Sequence, residues 1–502
     1  MIRTMRQFCL LCCCVCITTT LVFADDDPQN AEQKPNIVFI YADDMTFSAL
    51  GAMGHPIVKT PNLDRLADEG VIFTNAYNQG GWHGAICVAS RAMLNTGQFL
   101  WRAKNTMDRG FPQSGTPVDV AERDRYESEF WSRQFHASGY TTYFAGKWHV
   151  DARNIDGESY HCVPVEPLFD RFGIIRPGGM PPTVESSYNR PYEGDDDAWS
   201  PFDPQYQGHW SGGQHWAEAL AESAMDMMNT ASKADEPFFM YLAFNSPHDP
   251  RQAPKEFVDM YPQEIMDVPP DFLPDNPHRA AMECPPDLRD ERLAPFPRTE
   301  YAVRVHRREY YAIISHMDAQ IGRMLDTLEQ SGKRQNTVII FTADNGLALG
   351  SHGLFGKQSV YEHSLKVPLI IAGSGIPKQQ RIDTPVYMQD IMPTALQLAG
   401  KPIPEQVQFK SLMPLIRGER AEQHSSIYAA YQQAQRMVRL GDFKLIAYPK
   451  SKTLLLFDLK NDPHETVNLA DNPDYAPKLK ELLAELSQLQ KDSGDPLTLD
   501  MF

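Results

Sequence analysis

Short apolar runs recur along the chain and alternate with segments of helical periodicity. Runs without polar alternation are typical of strands buried on both faces. They occur at residues 35–41, 71–74, 141–145, 238–244 and 337–342. Helical patterns lie among them, at residues 60–70, 126–138, 214–228 and 304–330. Because strands that alternate with helices form mostly parallel sheets between helical layers, the pattern predicts an α/β fold of this kind.

The pattern changes after a predicted helix at residues 390–399. Four short strand-like runs and a final helical segment follow, at residues 427–431, 437–440, 443–448, 454–458 and 477–491. They predict a smaller subdomain with an antiparallel sheet and a terminal helix. We therefore expect a larger domain over residues 25–420 and a C-terminal subdomain over residues 421–502.

Two segments interrupt the alternation, residues 151–210 and residues 250–303. Both are rich in proline, aromatic and charged residues without clear periodicity. Insertions of this kind on a rigid scaffold often form the rim of a pocket. The acidic run at 193–197 is expected to be a solvated loop rather than a metal site.

The N-terminus has the pattern of a secretory signal. Arg3 and Arg6 precede an apolar run at residues 8–23, and small Ala24 follows, so residues 1–24 are predicted to be a signal peptide cleaved after Ala24. The run is short for a membrane span and contains three threonines, which disfavours an uncleaved anchor. We expect an exported protein, periplasmic or extracellular, with no membrane span in the mature chain.

Net charge and cysteine content restrict the classes of function that the protein can have. The net charge of −18 over 502 residues argues against non-specific binding to nucleic acid or to an anionic membrane surface. Five of the eight cysteines lie in the predicted signal, which leaves Cys87, Cys162 and Cys284. An odd number in an oxidising compartment indicates a reactive or modified cysteine. Whether Cys162 and Cys284 pair stays open.

Polar side chains follow two of the predicted buried strands. Asp43 and Asp44 come after the first run, and Asp344 and Asn345 come after the run at 337–342. Either pair alone could form a turn or a helix cap. Because ligands bind at the carboxyl ends of parallel strands, both pairs are expected at one sheet edge. Three carboxylates and an amide are hard oxygen ligands, which suit Ca²⁺ or Mg²⁺.

Basic residues also lie on the loops that leave the strands. These residues are Lys147, His149, His248 and Lys357. Each alone could be an ordinary surface or hydrogen-bonded residue. Together with a divalent cation they would form a cationic pocket for a tetrahedral oxyanion, in which a His or Lys protonates the leaving group.

Cys87 follows a glycine-rich loop and begins a short helical pattern at residues 87–94, where backbone N–H groups favour negative charge. A buried structural thiol is the alternative. However, CVASR at 87–91 resembles the modification motif of type I sulfatases, whose usual form has proline in place of Ala89. Other stretches match that family in its expected order: NIVFI (36–40), TPNLD (60–64), GKWH (146–149), DNG (344–346), GLFGK (353–357), YEHSLKVP (361–368) and DPHETVNL (462–469).

The chain thus resembles the formylglycine-dependent sulfatases of the alkaline-phosphatase-like superfamily. The resemblance implies an α/β/α sandwich with a mostly parallel central sheet, one Ca²⁺, and oxidation of Cys87 to formylglycine by a maturation enzyme of the host. The hydrated aldehyde would attack sulfur and later expel sulfate. The variant residue Ala89 bears on how efficiently Cys87 is converted.

The resemblance also implies a role for each site residue. Arg91 would hold the hydrate, His149 would activate it, and Lys147 and Lys357 would grip the sulfate oxygens. His248 is the first candidate for the acid that protonates the leaving group, and Lys357 is the second. The implied Ca²⁺ ligands are Asp43, Asp44, Asp344, Asn345 and the converted Cys87.

Three hypotheses follow from these observations. The first is an exported, Ca²⁺-dependent sulfuric ester hydrolase that acts on a sulfated carbohydrate or a similar organic sulfate. The second is a phosphodiester or phosphonate hydrolase of the same superfamily, because phosphate and sulfate differ little in shape. The third is a sulfated-glycan-binding protein in which Cys87 stays unmodified. Candidates for the outer pocket are Arg176, His209, Trp210 and Arg251.

Overall fold

A computed structural model of the protein describes residues 34–110, 120–150, 153–154, 160–161, 163–176 and 184–499. The predicted signal at residues 1–24 and Cys162 therefore lie outside the described residues. The strands are β1 (Asn36–Ala42), β2 (Gly70–Tyr77), β3 (Gly80–Gly81), β4 (Thr141–Lys147), β5 (Arg153–Asn154), β6 (Tyr160–His161), β7 (Arg171–Arg176), β8 (Trp210–Ser211), β9 (Gln214–His215), β10 (Phe238–Ala243), β11 (Thr337–Ala343), β12 (Lys366–Gly373), β13 (Gln380–Ile382), β14 (Val386–Tyr387), β15 (Ser426–Tyr431), β16 (Gln435–Leu440), β17 (Phe443–Tyr448) and β18 (Thr453–Asp458).

The α-helices of the described ranges include long and single-turn elements. They are α1 (Pro61–Asp68), α2 (Ile86–Thr96), α3 (Leu100–Gly110), α4 (Val120–Glu129), α5 (Trp131–His136), α6 (Trp216–Ala231), α7 (Lys255–Asp259), α8 (Arg279–Met282), α9 (Glu300–Gln330), α10 (Glu362–Leu365), α11 (Ile391–Leu398), α12 (Met413–Ile416) and α13 (Ala476–Ser493). Within these ranges, no helix is long and apolar enough to cross a membrane.

The central sheet has the strand order β13-β2-β12-β11-β1-β10-β4-β7, and β14 also pairs with β2. β1 lies between β11 and β10 and is parallel to both. Phe39 and Tyr41 of β1 contact Trp131 of α5 and Ser90 of α2. Because successive side chains of a strand point to opposite faces, the alternate residues of β1 face the other helical layer. The predicted α/β/α fold with a mostly parallel sheet is confirmed.

Several details differ from the sequence prediction. β7 was not predicted: it lies in the segment at 151–210 that was interpreted as an insertion, yet it extends the central sheet beside β4. β13 and β14 were not predicted either. β12 was not predicted, and it runs antiparallel to both β11 and β2. Its Pro368 would normally argue against a strand interior, but the register shifts between Val367 and Leu369, and this irregularity accommodates the proline. The single helix predicted at 126–138 is instead α4 and α5, because Phe130 between them has an extended backbone and its side chain is buried.

The strands β15 to β18 form the predicted antiparallel sheet, and α13 packs against it. This sheet also takes in β3, which pairs with β15 in parallel. Buried Lys444 of β17 lies 2.9 Å from Glu362 Oε1 and 2.7 Å from Glu465 Oε1. Glu465 belongs to the DPHETVNL motif, so that motif anchors the sheet to α10. The boundary at residue 420 stays a prediction.

Candidate active site

The strand-end residues predicted from the sequence meet at one edge of the central sheet. Asp43 and Asp44 follow β1, Asp344 and Asn345 follow β11, and all four are at most 1% exposed. The parallel register of β1 and β11 pairs Ala42 with Ala343, which places the two acidic turns side by side. Sequence patterning therefore located this edge correctly.

Three carboxylates and a thiol lie close enough to share one cation. An oxygen from each of Asp43, Asp44 and Asp344 and the Sγ of Cys87 all lie within 4.8 Å of one another. Asp44 has a φ of +67°, and in this left-handed turn its backbone N–H donates to Asp344 Oδ1 at 3.0 Å. We name these residues, together with Asn345, the sheet-edge group.

The donor set of the sheet-edge group fits Ca²⁺. Asn345 donates through Nδ2 to Asp44 Oδ1, while its buried Oδ1 has no hydrogen-bond partner among the described residues. A buried acceptor without a donor is costly, and an oxygen-liganded cation would satisfy it. Burial and the neighbouring Asp43 carboxylate raise the pKa of Asp344 to about 6, which reflects excess negative charge at this point.

Cys87 is the second residue of α2 and is 1% exposed. Its Sγ lies 3.3 Å from Asp43 Oδ1 and 2.9 Å from Lys357 Nζ. Burial and the charge of Asp344 raise the pKa of the thiol well above its ordinary value. Because the thiolate is the reactive form of cysteine, unmodified Cys87 is a poor nucleophile despite its central position.

Arg91 follows Cys87 by one helical turn and binds the sheet-edge carboxylates. Its Nε and Nη2 donate to Asp344 Oδ2 at 3.1 and 3.0 Å, and Nη2 lies 3.5 Å from Asp43 Oδ1. Nη1 donates to the backbone oxygen of Lys147 at 2.9 Å. Arg91 therefore links α2 to the ends of β4 and β11, and its predicted contact with a hydrate stays a prediction.

Lys147 and His149 leave β4 beside the same group. The Lys147 ammonium donates to Asp43 Oδ2. His149 has a φ of +49°, and its buried Nδ1 is unpartnered among the described residues. Burial and the nearby cations Lys147 and Arg91 hold the pKa of His149 well below its ordinary value. A neutral imidazole can accept a proton, which suits the predicted activating role.

The two candidate acids lie next to each other. Lys357 Nζ lies 2.6 Å from Asp44 Oδ1 and 3.2 Å from His248 Nε2. Burial alone would lower the pKa of Lys357, but Asp44 and other acidic neighbours raise it well above its ordinary value. Lys357 is therefore a protonated ammonium here. His248 follows β10, and its Nε2 also lies 3.3 Å from Asp44 Oδ2.

Sequence reasoning missed a group of charged residues that the insertion at 250–303 brings to the site. Arg289 Nη2 lies 3.3 Å from His248 Nε2, and Arg289 also pairs with Asp290. Glu291 Oε1 accepts the backbone N–H groups of Phe355 and Gly356, just before Lys357. We name Arg289, Asp290 and Glu291 the insertion group. The segment has no periodicity, so the sequence carried no signal for them beyond its charge.

Asp249 was missed although it adjoins His248. Its carboxylate Oδ1 lies 2.7 Å from His248 Nδ1. Burial alone would raise the pKa of Asp249, but Arg289 and other cations hold it well below its ordinary value. The neighbouring position in the sequence was the available signal for this contact.

The residues proposed for the outer pocket have varied surroundings. His209 is fully buried, and its Nε2 lies 3.1 Å from the His248 backbone oxygen. Arg251 is 3% exposed and donates through Nη1 to His306 Nδ1. Arg176 lies over the Trp216 ring, and Trp210 of β8 is partly exposed. Their contact with substrate stays a prediction.

The two cysteines that the structure describes are both free and buried. Cys284 donates through Sγ to the Gln358 backbone oxygen at 2.9 Å. Its pairing with Cys162 cannot be followed, since Cys162 lies outside the described residues. The acidic run at 193–197 is exposed, as predicted, and Asp197 pairs with Arg190.

Comparison with known proteins agrees with this geometry. The sequence profile of the family described as Sulfatase matches residues 35–401. The profile described as N-sulphoglucosamine sulphohydrolase, C-terminal, matches residues 350–492. Together the two profiles span the sheet edge, the insertion at 250–303 and the C-terminal sheet.

Two relatives that align over most of their length are named as sulfatases. An arylsulfatase of Clostridium perfringens is 29% identical over 494 residues, which are 92% of this chain and 96% of the relative. An N-acetylglucosamine-6-O-sulfatase of Bacteroides thetaiotaomicron is 26% identical and covers 93% of this chain and 88% of its own length.

Solved structures share the fold. One, determined in complex with its substrate D-glucosamine-2-N,6-O-disulfate, has a TM-score of 0.68 at 24% identity and covers 92% of this chain and 99% of its own. A phosphonate monoester hydrolase of Agrobacterium radiobacter has a TM-score of 0.69 at 22% identity, with coverages of 91% and 96%. At these identities the likeness concerns the fold alone.

Proposed function

The chain belongs to the sulfatase family and is a sulfatase enzyme, and we propose that it cleaves the sulfate ester of a sulfated saccharide with formylglycine at position 87 and one Ca²⁺. The observation that carries the proposal is the convergence of Cys87 with three carboxylates within 4.8 Å. A buried, protonated thiol has no evident role beside three carboxylates, whereas an oxidised residue 87 beside a bound cation does.

Ca²⁺ would be held by Asp43, Asp44, Asp344 and Asn345, and when bound it supplies positive charge that polarises a sulfate group and its attacking oxygen. The remaining charges come from the chain itself. The ammonium of Lys147 donates to Asp43, and that of Lys357 donates to Asp44. Both ammonium groups are within reach of an oxyanion beside residue 87. Preorganised cations of this kind stabilise charge that develops in the transition state.

Proton transfer is divided between two sides of the site. The lowered pKa of His149 leaves its ring neutral, so a ring nitrogen is free to accept a proton from the hydroxyl of the converted residue 87. On the other side, Lys357 and His248 lie 3.2 Å apart and can deliver a proton to the alcohol oxygen that leaves. The two roles need opposite protonation states: burial and nearby cations keep His149 neutral, and Asp44 with other acidic neighbours keeps Lys357 protonated.

A sulfated saccharide is the substrate class we propose, because the relative from Bacteroides thetaiotaomicron is named for N-acetylglucosamine 6-sulfate. A screen of sulfated monosaccharides and disaccharides, with detection of the position that loses sulfate, tests this choice. Release from a saccharide at a rate well above that from simple alkyl sulfates would support it. Selective turnover of a non-saccharide sulfate would contradict it.

Hydrolysis of a phosphonate or phosphodiester is the second candidate, favoured by the fold shared with the Agrobacterium enzyme. Matched aryl sulfate, aryl phosphonate and aryl phosphodiester substrates separate the two. The proposal predicts the highest kcat/KM for the sulfate, with loss of turnover in Cys87→Ala. A higher kcat/KM for either phosphorus ester would contradict it.

Export and conversion are also part of the proposal. The basic head and apolar run at residues 1–24 support export, and the mature protein would then begin at Asp25. Mass spectrometry of the tryptic peptide 66–91 measures conversion of Cys87. A protein from the native host with unmodified Cys87 and no turnover would favour the glycan-binding hypothesis instead.

A further inference from the structure

The hydrogen bonds of His248 define which of its nitrogens carries a proton. Nε2 lies 3.2 Å from Lys357 Nζ and 3.3 Å from Arg289 Nη2. Protonated lysine and arginine have only donors, whereas Asp44 Oδ2, 3.3 Å from the same nitrogen, can only accept when ionised. Nδ1 lies 2.7 Å from Asp249 Oδ1, which can only accept when ionised. Nδ1 is therefore a donor held by Asp249, and Nε2 faces the sheet-edge group.

Arg289 connects this histidine to the other candidate acid. Its Nη1 lies 3.2 Å from Asp249 Oδ2, and its Nη2 pairs with Asp290. Asp290 accepts from Gln358 Nε2 at 2.8 Å, and Gln358 Oε1 accepts the Lys357 backbone N–H at 3.0 Å. One continuous set of hydrogen bonds thus runs from His248 to the backbone of Lys357.

We propose that Asp249 and Arg289 are positioning residues for protonation of the leaving group, an inference that rests on the proposed function. Asp249 fixes the tautomer and ring plane of His248, and Arg289 fixes Asp249. When the sulfur–oxygen bond breaks, its electron pair stays on the alcohol oxygen. A proton from the Lys357–His248 pair then neutralises that oxygen, while the Nδ1 proton remains on its bond to Asp249.

A purely structural role would have a different signature from this one. An ion pair that only holds the insertion in place would, when lost, slow all substrates alike. A positioning role concerns only the proton given to the leaving oxygen. A nitrophenolate leaves readily without a proton, whereas the alkoxide of an alcohol or sugar does not, so the defect should grow with the basicity of the leaving group.

The test is a series of sulfate esters, from p-nitrophenyl through phenyl to an alkyl sulfate, with converted wild-type enzyme and Asp249→Asn. The asparagine can donate to Nδ1 and so favours the wrong tautomer. We expect kcat/KM to fall about 100-fold for the alkyl ester and less than about threefold for the nitrophenyl ester. Arg289→Ala should show the same trend at about a tenth of the size, and Arg289→Lys should recover part of it.

A matched control lies in the same part of the chain. Arg292 and Glu185 form an ion pair at 2.8 Å, and Glu185 is 81% exposed. Arg292→Ala should leave the dependence on the leaving group unchanged. Thermal unfolding of every variant separates misfolding from catalysis, and Arg289→Lys gives the same comparison if Asp249→Asn does not fold.

The outcomes separate this inference from the proposed function. Equal losses for all esters in Asp249→Asn and Arg289→Ala, or no loss, would overturn the positioning role while wild-type turnover upholds the sulfatase proposal. Failure of converted wild-type enzyme to cleave any sulfate ester would overturn both. A loss that is confined to poor leaving groups supports the inference.

Discussion

The sheet-edge group and the insertion group both adjoin Lys357 and are built in different ways: the Lys357 ammonium contacts Asp44, and the Lys357 backbone is linked through Gln358 to Asp290. Asp43, Asp44 and Asp344 are placed by the backbone of adjacent parallel strands, and their side chains crowd like charges together. Arg289, Asp290 and Glu291 come from a segment without repeating structure, and each is placed by an oppositely charged or N–H partner. The first group offers the ligands that the proposed Ca²⁺ would need, and Arg289 of the second contacts the proposed proton donor His248.

This difference predicts two kinds of defect. Changes in the sheet-edge group should abolish chemistry or metal binding for every substrate. Changes in the insertion group should lower stability or rate while Ca²⁺ binding remains.

Cys87→Ala should abolish turnover of all sulfate esters, because it removes the nucleophile. Loss of a nucleophile costs enzymes on the order of 10⁴-fold or more in kcat. The free energy of unfolding should change little, since the substitution removes only the oxygen substituents of the converted side chain, or one sulfur atom where residue 87 is unconverted. Sulfate release together with thermal unfolding tests this. Residual turnover within about tenfold of wild type would contradict the role of residue 87.

Asp344→Asn should remove both Ca²⁺ binding and activity, with a loss of about 10³-fold in kcat/KM because several kcal/mol of charge stabilisation is lost. Wild-type enzyme should unfold at a higher temperature as Ca²⁺ is added, because a ligand of the folded state stabilises it. The variant should show no such shift. A Ca²⁺-dependent shift of equal size in the variant would place the cation elsewhere.

Glu291→Gln should keep Ca²⁺ binding and lose stability. Its carboxylate lies 3.2 Å from Arg279 Nη1 and pairs with Arg298. Its loss takes away the carboxylate that buried Arg298 pairs with and leaves Arg279 with the more exposed Asp275. We expect a drop of about 3 kcal/mol in the free energy of unfolding. Urea unfolding measures the drop, and calorimetric titration measures Ca²⁺ affinity. Weakened Ca²⁺ binding with an unchanged free energy of unfolding would contradict the expectation that the insertion group affects stability and not cation binding.

The pH dependence of Ca²⁺ binding should follow Asp344, whose pKa is raised to about 6. Its carboxylate must be ionised to bind a cation, so affinity should fall as the pH drops through 6. Without Ca²⁺, it is the stability of the fold that changes with pH, and it changes in the opposite direction. The folded state then holds the proton more tightly than the unfolded chain, so stability should decrease as the pH rises from about 4 to 6. Titrations at several pH values, with and without Ca²⁺, measure both trends.

The same contrast explains how far the sequence could predict the site. Strand ends are local features, so Asp43, Asp44, Asp344 and Asn345 were located from apolar runs and from the rule that ligands bind at the carboxyl ends of parallel strands. Motifs identified Cys87, Lys147, His149 and Lys357, and His248 was found on the loop after the apolar run at 238–244; the structure brings all five to this edge.

The insertion could not be predicted in the same way. Arg289 reaches His248 across 41 positions of the chain through contacts between side chains, which leave no periodic pattern. β12 was missed for a related reason, because Pro368 hid a strand that only its neighbours β11 and β2 stabilise. Long-range contacts of this kind depend on the folded structure rather than on local preference.

In the proposed mechanism, oxidised residue 87 hydrolyses the sulfate ester and the unmodified cysteine does not. The most direct test prepares the enzyme with graded amounts of its maturation enzyme and measures two quantities on each sample: the converted fraction of peptide 66–91 by mass spectrometry, and the rate of sulfate release. The rate of sulfate release should be proportional to the converted fraction, with no turnover at zero conversion. Full turnover in samples that hold only unmodified Cys87 would contradict it.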